Sequence, residues 1–163
     1  KELKIVLQRI ADHQKQQIEQ FFPTEFLSFR KVNRLESQTD PFDNASELSG
    51  SSPIFEIQYQ DNEKNAIDIF IIHSENDPTI REYQSLIKAN IEDDDDNIKF
   101  ITLKDRYETI LKLYEASNYA EWNVVINSDI LCNIIVNGVE DHQIITQLFD
   151  EIDLHGLEQF LSQ

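Results

Sequence analysis

The residues best placed by type and spacing to do chemistry are Asp93-Asp94-Asp95-Asp96, preceded by Glu92. A run of carboxylates either holds a hard cation or faces a cationic partner. Calcium loops place oxygen ligands at alternating positions, with a glycine for the tight turn and a later bidentate glutamate. Here the acids are contiguous, glycine is absent and Lys99 follows. The tract therefore reads as a solvated acidic loop that meets a basic partner, and no metal is expected. Glu140 and Asp141 form a second acidic pair on a segment expected to be exposed.

The other reactive types do not assemble. His13, His73, His142 and His155 show no zinc-helix spacing and no His-Glu-x-x-His. His73, at the end of an apolar strand interrupted by Asp68, is the best enzymatic candidate, but no set of partners surrounds either residue in the sequence. Gly50, Gly138 and Gly156 lie too far apart for a phosphate-binding loop, and no Gly-x-Ser-x-Gly elbow occurs. The single Cys132 excludes an intramolecular disulfide and a cysteine-based zinc site. It lies in the apolar run 130–136 and reads as a buried structural thiol. The chain is expected to be a non-enzyme with no catalytic residues, no cofactor and no metal.

Charge gives the sign of a partner. The formal net charge is -17, and Lys112 is the last lysine or arginine. Beyond it stand nine carboxylates: Glu115, Glu121, Asp129, Glu140, Asp141, Asp150, Glu151, Asp153 and Glu158. A field of one sign repels anions and attracts cations. Nucleic-acid binding, which depends on Lys and Arg, is disfavoured, and a basic protein partner is favoured. Arg30, Lys31 and Arg34 are expected to pair with the chain's own carboxylates. No apolar run is long enough to span a membrane. Gln8, Arg9, Asp12 and His13 interrupt any signal-peptide core, so a cytoplasmic location is expected.

These groups need elements to hold them. Residues 2–21 read as an amphipathic helix with Leu3, Val6, Leu7, Ile10, Ile18 and Phe21 on its buried face. The stretch 22–29 reads as an irregular loop or short strand, and 36–53 as a long mobile loop. Phe55, Ile57 and Tyr59 alternate with polar residues, as in a half-buried strand, and 66–72 reads as an interior strand. Asp77-Pro78 opens a helix whose face is Ile80, Tyr83, Ile87 and Ile91. A strand is expected over 98–103, then a helix near 105–117 opened by Asp105 and Glu108 as a capping box. A hairpin follows, 122–127 and 130–137 joined by Ser128-Asp129, then a final helix from about Asp141 with a break at Gly156. The expected fold is α+β, in a single domain over 1–163. A mostly antiparallel sheet of about five strands is covered by four helices, ending in a helix-hairpin-helix unit.

In size, acidity and lack of a catalytic set the chain resembles the immunity proteins of bacterial toxin systems, including contact-dependent inhibition. That resemblance implies a protein that blocks a basic nuclease toxin by occlusion, and it transfers no particular residue. The order 105–117, 122–127, 130–137 and final helix is similar to type III secretion chaperones and their YbjN-like relatives, which implies client binding and a dimer. The expected function is neutralisation of a basic partner, with a secretion-type chaperone and a DNA-mimic inhibitor as alternatives. The partner-binding residues expected are Glu92, Asp93, Asp94, Asp95, Asp96, Glu140 and Asp141, on a monomer or homodimer.

Overall fold

The computed structural model describes residues 1–32, 53–90, 97–139 and 143–163. Its centre is one antiparallel sheet of eight strands. The strands are β1 (Glu25–Phe26), β2 (Phe29–Lys31), β3 (Phe55–Gln60), β4 (Ala66–His73), β5 (Ile98–Leu103), β6 (Tyr107–Tyr114), β7 (Tyr119–Asn127) and β8 (Ile130–Asn137). Their order is β1-β2-β3-β4-β8-β7-β6-β5. Two four-stranded meanders thus meet at the β4–β8 pair, where all eight residues of each strand are in register. Among the described residues the helices are α1 (Glu2–Glu19), α2 (Pro78–Ala89), α3 (Gln143–Glu151) and α4 (Leu154–Leu161).

The α+β class stands, but the expectation of about five strands is corrected to eight. The three added strands are β1 and β2, within 22–31, and β6 at 105–117, where a helix is expected. Tyr107, Ile110, Leu111 and Tyr114 do fall at helical spacing. They do so because β6 is interior and apolar on both faces, which erases the period of two. Asp105 does not cap a helix. With Lys104 it takes a left-handed backbone (φ 55° and 52°), and the Arg106 N–H donates to the Leu103 carbonyl at 3.1 Å. This tight turn joins β5 to β6. The C-terminal helix-hairpin-helix unit is therefore absent, and β6, β7 and β8 form a continuous meander. The 22–29 stretch is the small hairpin β1–β2, with Leu27 in the turn at φ 50°.

Alternation divides the core between the two faces of the sheet. On one face Ile67, Ile69 and Ile71 of β4, Trp122 and Val124 of β7, and Cys132, Ile134 and Val136 of β8 pack beneath Ile145, Leu148 and Phe149 of α3 and Leu154, Leu157 and Leu161 of α4. On the other, Phe70, Ile72, Ile110, Val125, Leu131 and Ile135 pack with Ile80 and Tyr83 of α2. The Asp77 carboxylate caps α2, accepting from the backbone N–H of Thr79 at 2.9 Å and Ile80 at 3.2 Å, with Pro78 in the first turn. The break between α3 and α4 falls at Ile152–Asp153, not at Gly156, which lies inside α4. Asp153 accepts from the Gly156 N–H at 2.9 Å and so caps α4. Lys104 Nζ donates to the Ile152 carbonyl at 2.7 Å, a cation at the carboxyl end of α3.

The expected buried face of α1 is also corrected. Leu3 is 71% and Ile10 60% exposed, with Val6 and Leu7 also open, and in α1 only Ile18 is buried. The carboxyl end of the helix is tied to the body: the Asp153 N–H donates to the Phe21 carbonyl at 3.0 Å, and Phe21 lies 5.8 Å from Phe160.

Candidate functional site

The partner-binding residues expected from sequence, Glu92, Asp93, Asp94, Asp95, Asp96, Glu140 and Asp141, all lie outside the described residues, as do His142, Arg34 and nearly all of the 36–53 loop. Of the basic cluster, Lys31 pairs with Glu19. Arg106, on the turn before β6, pairs with Glu158 at 3.3 Å. Asp150, Glu151 and Asp153 stand exposed along α3 and the start of α4.

The enzymatic candidates do not converge. Asp68 and His73 are an odd number of residues apart on β4, so they point to opposite faces of the sheet. About 16 Å of strand separates them. Cys132 is fully buried, and desolvation pushes its thiol up to about 12, the behaviour of a core residue and not of a nucleophile.

The α2 face of the sheet holds something that sequence reading did not find. α2 covers only part of that face, over β6, β7 and the apolar residues of β4 and β8. Alongside it, and partly under Tyr83, cross-strand register aligns two largely polar rows. One reads Gln58, Asp68, Ile135, Glu121 and Lys112 across β3, β4, β8, β7 and β6. The next, one residue pair further from α2, reads Gln60, Ala66, Asn137, Tyr119 and Tyr114. Gln58, Gln60, Asn137, Glu121 and Tyr119 are half-buried and Tyr114 is exposed, whereas Asp68 and Ile135 are buried. The Tyr114 and Tyr119 rings meet edge-on with centroids 5.2 Å apart.

Hydrogen bonds knit the carboxylates to carboxamides. Gln58 Nε2 donates to Asp68 Oδ1 at 2.7 Å. Asn133 Nδ2 donates to Glu121 Oε1 at 3.2 Å and to Asn123 Oδ1 at 2.8 Å. Asn123 and Asn133 are both fully buried. Burial pushes the Asp68 carboxyl above its ordinary 3.8, opposed by the Gln58 hydrogen bond. Burial also raises the Tyr83 hydroxyl, helped by the nearby Glu121 and Glu82 carboxylates. Signals for this site existed in the sequence as Asp68 inside an apolar strand and as Asn133 inside another. Only the strand register reveals that they share a face with Glu121.

A stability profile tests the Asp68 environment. A carboxyl whose folded pKa is raised favours the folded state most below the unfolded value of 3.8. That favour is lost as pH rises through the higher folded value. Asp68→Asn keeps the acceptor for Gln58 and removes the charge. The variant should be more stable than the parent at pH 7, by roughly 1 kcal/mol on the scale of a buried polar group. The gain should vanish below about pH 4, where an ordinary carboxyl is itself neutral. Urea denaturation at pH 3, 5 and 7 reads this directly, and an equal difference at all three would contradict it.

No family model matches the chain, and no curated protein matches it.

Proposed function

We propose that this chain is an acidic binding protein that neutralises a basic protein partner by occlusion, as an immunity protein blocks a nuclease toxin. The observation that carries the reading is charge placement. The net charge is -17 and no lysine or arginine follows Lys112, so the C-terminal third has no lysine or arginine of its own to neutralise its carboxylates. The rows alongside α2 add the half-buried Tyr119 and the exposed Tyr114, a residue type enriched at interfaces. The tract Glu92–Asp96 and the pair Glu140 and Asp141 supply steering charge at the ends of described elements. In this mechanism the carboxylates occupy the partner's own phosphate-binding lysines and arginines, and the anchored chain excludes substrate.

The chaperone reading keeps one observation in its favour, the exposed Leu3, Val6, Leu7 and Ile10 of α1. The helix-hairpin-helix order that suggested it is not present.

The test is affinity capture from the source organism's lysate at low salt, with elution by a salt step. A basic protein released only at high salt supports the inhibitor. A partly unfolded client that resists salt overturns it in favour of the chaperone. Asp94→Lys with Asp95→Lys should weaken capture, and unchanged binding with unchanged salt dependence would remove those two residues from the interface.

A further inference from the structure

α1 is anchored to the body of the molecule at one end only. Ile18 is buried, and Phe21, just beyond the helix, lies 5.8 Å from Phe160 and accepts through its carbonyl from the Asp153 N–H. Every residue from Lys1 to Ile10, and from Asp12 to Gln16, is exposed. About 20 Å of helix therefore stands off the sheet. Leu3, Val6, Leu7, Ile10, Ile18 and Phe21 share one side of it, so the stripe that docks on the body continues outward past it. Leu3, Leu7 and Ile10 are each more than half exposed, and among the described residues nothing covers them. A helix draws most of its stability from packing such a face, and a solitary helix of this length is marginal in water.

Charge decides what can cover the stripe. α1 holds three basic residues, Lys4, Arg9 and Lys15, against three acidic ones, Glu2, Asp12 and Glu19. The helix is neutral, and the whole of the net charge of -17 lies outside it. That charge repels an anionic membrane, and it draws a basic partner to the acidic body in preference to a neutral helix. A second α1 meets neither objection.

We infer that the outer part of α1 pairs antiparallel with α1 of a second copy of this chain. A two-fold axis between Val6 and Leu7 sets Leu3 against Ile10 of the second copy, and Val6 against its Leu7. The same alignment places Glu2 beside Arg9 and His13 of the second copy on one flank of the seam, and symmetry repeats both contacts. On the other flank Lys4 falls opposite Ala11, so like charges do not meet head on. The two Ile18 positions then lie about 35 Å apart along the pair, several Debye lengths at physiological salt. Parallel alignment would instead bring the two acidic bodies side by side. Each copy contributes roughly four aliphatic side chains, a small interface, so the association is reversible. The pair forms independently of any basic partner.

The test is sedimentation equilibrium of the intact chain from about 5 to about 500 µM, with cysteine cross-linking to read the register. The weight-average mass should rise toward twice that of the monomer. Leu7→Gln with Ile10→Gln should weaken association at least tenfold and leave the urea midpoint unchanged, since both positions are exposed. Cys132 is fully buried, so cysteines added on α1 report alone. A mixture of Leu3→Cys and Ile10→Cys chains in oxidised glutathione should form a mixed disulfide at least fivefold faster than either variant alone. Raising salt from about 20 to about 300 mM screens the two bodies and should tighten the pair about threefold, whereas it weakens a charge-driven complex. A chain still monomeric at the highest concentration overturns the pair. So does a Leu3→Cys chain that cross-links with itself as fast as with Ile10→Cys, which would mean a parallel or random encounter. A monomer that floats with vesicles of phosphatidylcholine and phosphatidylserine, or that holds a carboxymethylated unfolded protein, also overturns it and gives the stripe to lipid or to a client.

Discussion

Phe149→Ala should cost about 3–5 kcal/mol of folding stability, the range for deleting a fully buried aromatic ring. Phe149 is 1% exposed on α3, and its ring centroid lies 5.9 Å from that of Trp122 on β7. The pair links the C-terminal helices to the middle of the sheet, and Leu148 and Ile145 pack in the same layer. Alanine removes the ring and leaves a cavity that the rigid strands beneath cannot close. For a chain of this size the urea midpoint should fall by roughly 2 M with little change in slope. Phe149→Leu, which keeps most of the volume, should cost less than half as much. A loss under about 1 kcal/mol for the alanine variant would mean that α3 does not dock on β7 as described.

The second large effect is on binding. Asp94→Asn combined with Asp95→Asn should weaken the basic partner about tenfold at low salt, mostly through the association rate. As a control, Asp150→Asn with Glu151→Gln removes the same charge from α3 and should change affinity less than about threefold. Calorimetric titration separates the two. Equal losses would mean that the partner reads total charge and not the 92–96 tract.

How much of this was legible in the sequence depends on how each element is buried. β3 alternates cleanly because one face of it is core and the other half-open, so Phe55, Ile57 and Tyr59 gave its orientation at once. The α2 start was legible because Asp77-Pro78 is a local signal, needing no tertiary contact. The hairpin at Ser128-Asp129 was legible for the same reason, and Asn127 Oδ1 accepts from the Asp129 N–H at 2.9 Å within it. β6 was not legible. Burial on both faces removes the alternation that marks a strand, and Tyr107, Ile110, Leu111 and Tyr114 then match a helix by chance. α1 failed the other way: its period was real, but Leu3, Val6, Leu7 and Ile10 meet none of the core. The site was legible only in fragments. Asp68 drew notice as a carboxylate in an apolar strand, but Gln58, Glu121 and Asn133 are ordinary residues until β4, β8 and β7 are placed side by side. That adjacency is set by pairing between strands more than sixty residues apart, which no local pattern encodes.

The central claim is that carboxylates on this chain hold a basic protein. The most direct measurement is the dissociation constant for the captured partner as a function of salt, from about 50 to 300 mM, a range over which exposed-charge attraction is strongly screened. The account predicts that affinity falls at least tenfold across that range, with most of the loss in the association rate. A dissociation constant that does not move with salt would contradict it, because binding would then be carried by apolar contact and the charge of the chain would have no part in it.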